Sequence, residues 1–235
     1  MAATSRAHET IRTCQDLIRH KRNARHPFFH DLSRPLPTQQ LRAWAEQKYH
    51  QVYLQNPIFG TLHGKTQFED VRAWMVEQLI AEETALTCGS DSHYNLMRRF
   101  AEACGAPAAS FAPEAAHPEV RAYVDLLLST MRDESFVLGL LAIYAIEAQS
   151  GESVGKLLGW LRQNYRFAER ELEWFTVHAA DDDDHASTGL GLVLKYAHLV
   201  DDFPVSAPRV VGAICDAWLT LHDHYRRLVT EATPS

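Results

Sequence analysis

Apolar positions recur along most of this chain at the three- and four-residue spacing of helices that bury one face. In the segment 38–53, the shared stripe consists of Leu41, Trp44, Ala45, Tyr49, Val52 and Tyr53. Similar stripes predict further helices over about 5–24, 67–87 with a restart through 104, 117–131, 134–149, 153–176, 178–200 and 206–230. No segment alternates like a strand. The pattern therefore predicts an all-α bundle of about seven or eight helices.

The chain is predicted to form one domain over residues 1–235, because its only linker candidate, 106–114, is too short to join two independent units. Its net charge of −7 argues against non-specific nucleic-acid binding, which needs a basic face. The first 25 residues carry charges throughout, and nowhere do 18 apolar residues run together. We therefore expect a cytoplasmic protein that binds neither nucleic acid nor membrane.

The cysteines give no sign of a disulfide framework or of a zinc knuckle. The four residues, Cys14, Cys88, Cys104 and Cys215, lie far apart and include no CxxC pair. Reduced thiols are the expectation, and none of the four is predicted to contribute to a metal site.

A metal-ligand spacing stands out in the segment 176–186. His178, Asp182 and His185 occur at i, i+4 and i+7, which return to one face of a helix. Asp181 is a possible substitute for Asp182. Two imidazoles and a carboxylate on one stripe predict a metal site, and the alternative is an accidental, solvated acidic face.

Glu147 follows the apolar run 136–146, which is hydrophobic on all sides and predicts a buried central helix. A buried carboxylate needs a partner. Glu147 is therefore either a further metal ligand or hydrogen-bonded to a tyrosine such as Tyr144 or Tyr165.

The remaining ligand candidates are Glu82 or Glu83, together with His93. Two glutamates, one aspartate and three histidines suit two first-row metal ions in a helical bundle. Iron is the first choice and manganese the second, with open positions for dioxygen and a substrate.

Several motifs together resemble one family, the heme-oxygenase-like di-iron oxidases, which share a helical fold with pyrroloquinoline quinone synthase (PqqC) and the TenA thiaminases. The pattern is nearest to the CADD group, the chlamydial-type para-aminobenzoate synthases. The motifs are HPFF at 26–29, QLRAW at 40–44, EE at 82–83, HYNL at 93–96, FAEACG at 100–105, AIEAQ at 145–149 and WFTVH at 174–178. The resemblance implies a homodimer, an external electron donor, dioxygen as co-substrate and two iron ions. The implied metal ligands are Glu82, His93, Glu147, His178, Asp182 and His185.

Two features depart from the CADD pattern. Glu82 and His93 are eleven residues apart, where that group has about seven. Eleven residues of unbroken helix would rise about 16 Å, so the helix must break near Gly89 if His93 is to reach the site. In addition, Phe29 aligns with the tyrosine that the para-aminobenzoate synthases sacrifice, and self-sacrificing chemistry is therefore not expected.

These features predict a non-haem di-iron oxygenase that oxidises a small nitrogen-containing metabolite, with N-oxygenation of an amine as the reaction. Tyr49 and Tyr53 are the predicted substrate contacts, and His222-Asp-His224 is interpreted as a solvated face with one histidine inward. The alternatives are oxidative C–C cleavage of an amino or fatty acid by the same centre, a metal-free enzyme of the PqqC or TenA type, and a helical partner-binding protein without catalysis.

Overall fold

The computed structural model of this chain describes residues 2–32, 34–180 and 184–231. Within these ranges, the side chains at 2–4, 180 and 184–186 are not described. The described residues form α-helices joined by loops and short 3₁₀ turns, and no strand occurs among them. The all-α prediction is therefore confirmed.

The helices are numbered in chain order. They are α1 (Ala2–His20), α2 (Pro27–Asp31), α3 (Thr38–Gln55), α4 (Pro57–Lys65), α5 (Glu69–Glu83), α6 (His93–Ala103), α7 (Pro118–Asp133), α8 (Phe136–Asn164), α9 (Glu173–Ala180), α10 (Asp184–Tyr196) and α11 (Phe203–Thr230). Three of them, α2, α4 and α7, begin with proline. Proline suits a first helical position because the N–H that it lacks has no partner within the helix there.

The observed helices differ from the predicted ones at several places. The short helix α4 was not predicted, and α8 runs without interruption through the predicted boundary near Gly151. Ser153, Val154, Leu157 and Leu158 are buried on the same helix, and their packing outweighs a glycine penalty of about 1 kcal/mol. The helix predicted over 178–200 falls on α9 and α10, with 181–183 outside the described residues.

Helix α8 forms the centre of the bundle, as the all-round apolar run predicts. Ser135 caps it by accepting the N–H of Leu138, and the side chains from Val137 to Ile146 are buried. Helix α8 packs against α7, α9, α10 and α11, and α11 also packs against α1 and α3. Among the described residues, no helix is both long and apolar enough to cross a membrane.

An aromatic cluster around Trp44 of α3 joins several helices. Trp44 is 1% exposed, and its ring lies within 6.5 Å of four others. The four rings are those of Phe28 on α2, Phe100 on α6, Trp160 on α8 and Phe175 on α9. Such close aromatic packing fixes these helices relative to one another.

A pair of glycines on α8 tests how tightly this centre is packed. A Cβ at Gly139 would lie 2.7 Å from Cδ1 of Leu62 and 3.2 Å from the sulfur of Met131, whereas a Cβ at the exposed Gly159 would meet nothing within 4 Å. Both alanine variants gain the same helix propensity, so the overpacking cost separates them. We expect Gly139→Ala to have a free energy of unfolding about 1–3 kcal/mol below that of Gly159→Ala in urea denaturation. Equal stabilities would contradict tight packing, because they would show that Leu62 and Met131 move aside at little cost.

Candidate metal centre

Three predicted ligands converge from three helices. Glu82 lies in the last turn of α5, His93 begins α6, and His178 lies on α9. One ligand atom from each side chain lies within 4.8 Å of the other two. The carboxylate oxygen Oε2 of Glu82 is 3.0 Å from Nδ1 of His93, and the two imidazole rings are 4.5 Å apart. The structure thus brings together residues that are far apart in the sequence.

The turn between α5 and α6 makes this convergence possible. Helix α5 ends at Glu83, the next nine residues are not helical, and Gly89 adopts a left-handed φ of +80°. The predicted break near Gly89 is therefore confirmed. Glu83 is exposed, so of the two adjacent glutamates only Glu82 faces the cluster.

The carboxylate of Glu173 anchors the turn to α9. It accepts the backbone N–H of Ser90 at 2.6 Å and the hydroxyl of Ser90 at 2.7 Å. Arg99 of α6 donates to the same carboxylate at 2.8 Å, and these contacts hold the pKa of Glu173 below its usual value against the opposing effect of burial. One carboxylate thus ties together the turn, α6 and α9.

His178 is arranged as a neutral donor of a lone pair. Its Nδ1 lies 2.7 Å from the carbonyl oxygen of Trp174, so Nδ1 carries the proton and Nε2 is left to accept. Burial, reinforced by the neighbouring His93, lowers the pKa of His178 to about 4. The imidazole is therefore uncharged near neutral pH, which is the form that binds metals.

The other predicted ligands are less completely described. Glu147 of α8 lines the same cavity, although it is not one of the three closely spaced side chains. Asp182 and the substitute Asp181 lie outside the described residues, as does the side chain of His185. Their part in the site stays a prediction.

The tyrosine alternative for Glu147 stays a prediction, although the two tyrosines named for it have other hydrogen-bond partners. The hydroxyl of Tyr144 accepts a hydrogen bond from Gln15 at 3.2 Å, and that of Tyr165 accepts the N–H of Leu36 at 2.7 Å. Both hydroxyls are thus engaged elsewhere.

A cavity of about 60 Å³ opens beside the cluster, which is room for a few water molecules or part of a small organic molecule. Its walls mix aromatic rings with polar groups. Among the residues that line it are Phe28, Phe29, Trp44, Trp174, Trp218 and Tyr225, with Lys48, Gln51, Gln55, Gln78 and His222.

The predicted substrate contacts Tyr49 and Tyr53 are not on this wall. Their rings stack on each other at 5.7 Å and pack against Phe111 and Tyr94, respectively. The correction follows from helix geometry, since positions 44, 48, 51 and 55 face the cavity and the two tyrosines lie on the adjacent face. The helix was predicted well, but the face that meets the cavity was not.

Histidines on α11 were also misjudged. One of the two histidines was predicted to point inward, but His222 and His224 are both 5% exposed, whereas the side chain of Asp223 is 61% exposed. His222 lines the cavity, and its Nδ1 donates to the carbonyl of Trp218 at 2.8 Å. The spacing of Trp218, His222 and Tyr225 at i, i+4 and i+7 was the signal that could have found it.

Cys88 also lies at the site, contrary to expectation. It occupies the turn before α6, where its sulfur is 3.2 Å from Nε2 of His93. Cys88 precedes His93 by five residues in the sequence, but only the folded turn reveals this contact.

The described donor set fits an iron ion. One carboxylate and two imidazoles with room for further ligands are typical of non-haem Fe²⁺ sites and also occur in catalytic zinc sites, whereas structural zinc favours four closed ligands. Glu82, His93 and His178 supply that set on the wall of an internal cavity.

Comparisons with known proteins agree with this chemistry. A family profile described as "iron-containing redox enzyme" matches residues 42–218. A 4-aminobenzoate synthase of Nitrosomonas europaea is 29% identical, and the match covers 89% of this chain and 89% of the synthase.

Solved structures show the same fold at low sequence identity. A CADD-like protein of unknown function from Nostoc punctiforme superposes with a TM-score of 0.74 at 17% identity, covering 94% of this chain and 98% of the other. A TenA homologue from Pseudomonas syringae has a TM-score of 0.73 at 16% identity, covering 93% and 91%. The predicted heme-oxygenase-like fold is thus confirmed.

The buried imidazole of His222 predicts a pH effect on stability. Burial lowers its pKa in the folded protein to about 3, so the unfolded chain binds more protons as the pH falls below about 6.5. The titration of His222 therefore leaves the unfolding free energy unchanged well above pH 6.5 and lowers it as the pH drops below that value. Between pH 7 and pH 5, wild type should lose about 2 kcal/mol more unfolding free energy than His222→Gln.

Urea denaturation at the two pH values measures this difference. His198→Gln, which removes an exposed histidine, is the matched control and should behave as wild type. An equal loss in wild type and in His222→Gln would contradict the assignment.

Proposed function

Because this chain belongs to the family of iron-containing redox enzymes, we propose that it is a dioxygen-dependent non-haem di-iron oxygenase. Its proposed substrate is a small nitrogen-containing molecule bound in the cavity, and the proposed reaction is N-oxygenation of an amine. One observation carries the proposal: Glu82, His93 and His178 present a carboxylate and two imidazoles within 4.8 Å of one another on the cavity wall.

The proposed ligands divide into two groups. Glu82, His93 and His178 would hold one iron ion, and Glu147 with Asp182 and His185 would complete the second position. Iron bound there would supply the activation of dioxygen, with two electrons from an external donor. N-oxygenation then balances: the amine, dioxygen, two electrons and two protons give the hydroxylamine and water.

The protein's own groups prepare the ligands for this role. The hydrogen bond from Nδ1 of His178 to Trp174 fixes the ring and leaves Nε2 as the donor atom. His93 now contacts Glu82 on one nitrogen and Cys88 on the other, so a bound ion would take the place of one contact. The aromatic walls exclude bulk water, which protects reactive oxygen chemistry from side reactions.

An amine substrate is supported by the acceptors on the wall. His222 donates through Nδ1 to Trp218, which leaves its Nε2 as an acceptor. Because burial keeps the ring neutral, Nε2 can accept a hydrogen bond from a substrate N–H. This contact would orient the nitrogen that is oxidised.

A second candidate is the formation of 4-aminobenzoate, which the name of the Nitrosomonas relative favours. Phe29 lines the cavity 5.3 Å from the ring of His222 and carries no hydroxyl. A 4-aminobenzoate synthase of this sequence would therefore draw on an external precursor rather than on a phenol at position 29.

The metal assignment predicts that His178→Ala and Glu82→Gln each lose at least one of two bound iron ions. Removing a ligand weakens binding while leaving the packed core in place, so the helical content should not change. Elemental analysis after anaerobic Fe²⁺ loading measures the iron, and circular dichroism measures the helix. His198→Ala removes an exposed histidine and should keep the wild-type iron content. Equal iron in all four proteins would disprove the site.

The reaction assignment predicts that amines accelerate dioxygen consumption by the iron-loaded protein over many turnovers. With isotopically labelled dioxygen, mass spectrometry should find one labelled oxygen on the amine nitrogen. Phe29→Tyr should not be required for this activity, and chelation of iron should abolish it. Undiminished turnover without iron would favour a metal-free enzyme, cleaved carbon products would favour C–C cleavage, and 4-aminobenzoate would favour the second candidate.

A further inference from the structure

Lys48 is an unusual residue to find on the cavity wall. It lies on the face of α3 that carries Trp44 and Gln51, and it is the only lysine or arginine among the described residues that line the cavity. Burial lowers its pKa to about 7, with the charge of Glu82 acting in the opposite direction. Lys48 is half-buried, and an ammonium group that loses part of its hydration is costly unless it has a charged or polar partner.

The protein satisfies this ammonium group incompletely. Nζ of Lys48 donates to Oε1 of Gln51 at 3.0 Å and lies 4.8 Å from the centre of the Trp174 ring. A protonated lysine has three N–H donors, so the Gln51 bond accounts for one and the ring for part of the rest. Within the described part of the chain, no carboxylate pairs with Lys48 at salt-bridge distance.

The position of this amine is nevertheless fixed. Oε1 of Gln51 also accepts the hydroxyl of Tyr225 at 2.8 Å, and Nε2 of Gln51 donates to Gln55 at 3.3 Å. Gln51 is only 2% exposed, so its amide cannot turn away to solvent. A buried hydrogen-bonded network of this kind holds a donor in place before any ligand arrives.

Lys48 lines the same cavity as His178 and His222. Its positive charge lowers the pKa of both histidines, so the ammonium is within electrostatic range of the metal cluster and of His222. Trp174 links it to the cluster directly, because the Trp174 ring stacks on His178 at 4.1 Å. A ligand that touches Lys48 is thus beside the proposed ligands.

We infer that Lys48 is an anion-binding subsite that takes the carboxylate of a small substrate, so that the substrate class is an amino acid or aminocarboxylic acid. The inference rests on the proposed function, since it assumes that the cavity is the substrate site. A carboxylate would accept the remaining N–H donors of Lys48 and neutralise its charge. The amino end would then face His222 and the metal cluster.

Benzoate and benzamide are suitable probes because they share size and shape and differ in charge. Isothermal titration calorimetry on the full-length protein, both iron-loaded and metal-free, gives the dissociation constant of each. Wild type should bind benzoate roughly tenfold more tightly than benzamide in both forms, the gain expected of one charge-assisted hydrogen bond.

Four variants locate this preference. Lys48→Met and Lys48→Gln remove the charge and should abolish the preference for benzoate, whereas Lys48→Arg keeps the charge and should retain part of it. Lys195→Met removes a lysine on α10 that pairs with Asp70, and since neither residue lines the cavity, this variant should leave the preference unchanged. Thermal melting monitors the folding of each variant. If the neutral variants do not fold, the wild-type and arginine measurements still decide.

Three results would overturn the inference: no saturable benzoate binding by wild type, an undiminished preference in a folded neutral variant, or a preference confined to the iron-loaded form. The last would mean that the metal holds the carboxylate. Failure of the proposed function is separate. A protein that binds no iron but shows Lys48-dependent benzoate binding would support the subsite and contradict the oxygenase proposal. A protein that binds iron and oxidises an amine but shows no Lys48-dependent benzoate binding would support the oxygenase proposal and contradict the subsite.

Discussion

The candidate site depends on one backbone conformation, the left-handed turn at Gly89. Without it, α5 would carry Glu82 and His93 apart along a continuous axis, and the two could not meet at 3.0 Å. A Cβ at Gly89 would lie 2.8 Å from Cδ1 of Leu96, and a left-handed φ costs other residues about 1–2 kcal/mol. Glycine therefore suits both the backbone conformation and the space at this position. Glu173 then holds the turn against α9 and so sets the distance to His178.

The electrostatics of the cavity follow from the burial of the side chains that line it. Burial keeps His178 and His222 neutral and brings the pKa of Lys48 down toward neutrality. Carboxylates are expensive in the same surroundings, yet Glu82 and Glu147 both line the cavity. A bound cation would offset the cost of burying these carboxylates. An anionic substrate would offset the cost of burying the ammonium group of Lys48. The two proposals are thus complementary parts of one charge balance.

Sequence periodicity predicted the helices whose buried face is long and regular, such as α3, α7 and α11. It missed α4, whose nine residues start immediately after α3 and show too little periodicity to be separated from a loop. It also divided α8 at Gly151, because propensity is local whereas the packing of Val154 and Leu157 is not.

The clustered side chains of the proposed metal site were easier to predict from the sequence than the residues that line the rest of the cavity. Glu82, His93 and His178 have spacings and neighbours that mark them as candidates, and the turn at Gly89 was required by geometry. Lys48 carries no such mark, since a lysine on a helix is usually exposed, and His222 is marked only by its spacing from Trp218 and Tyr225. Their role depends on which face of α3 and α11 meets the cavity. Where polar and apolar residues are mixed on neighbouring faces, the sequence does not fix how a helix is rotated about its axis. Cys88 depends on a loop, which periodicity does not describe.

The fold alone does not separate an oxidoreductase from a metal-free enzyme, because structures that share it at 16–17% identity include TenA homologues. The distinction lies in the side chains. A carboxylate and two imidazoles are gathered here from three helices and held by the turn at Gly89 and by Glu173. Each of these groups loses hydration on burial. A shared cation would offset that loss for all three at once, and this is the physical reason that the arrangement favours a metal ion.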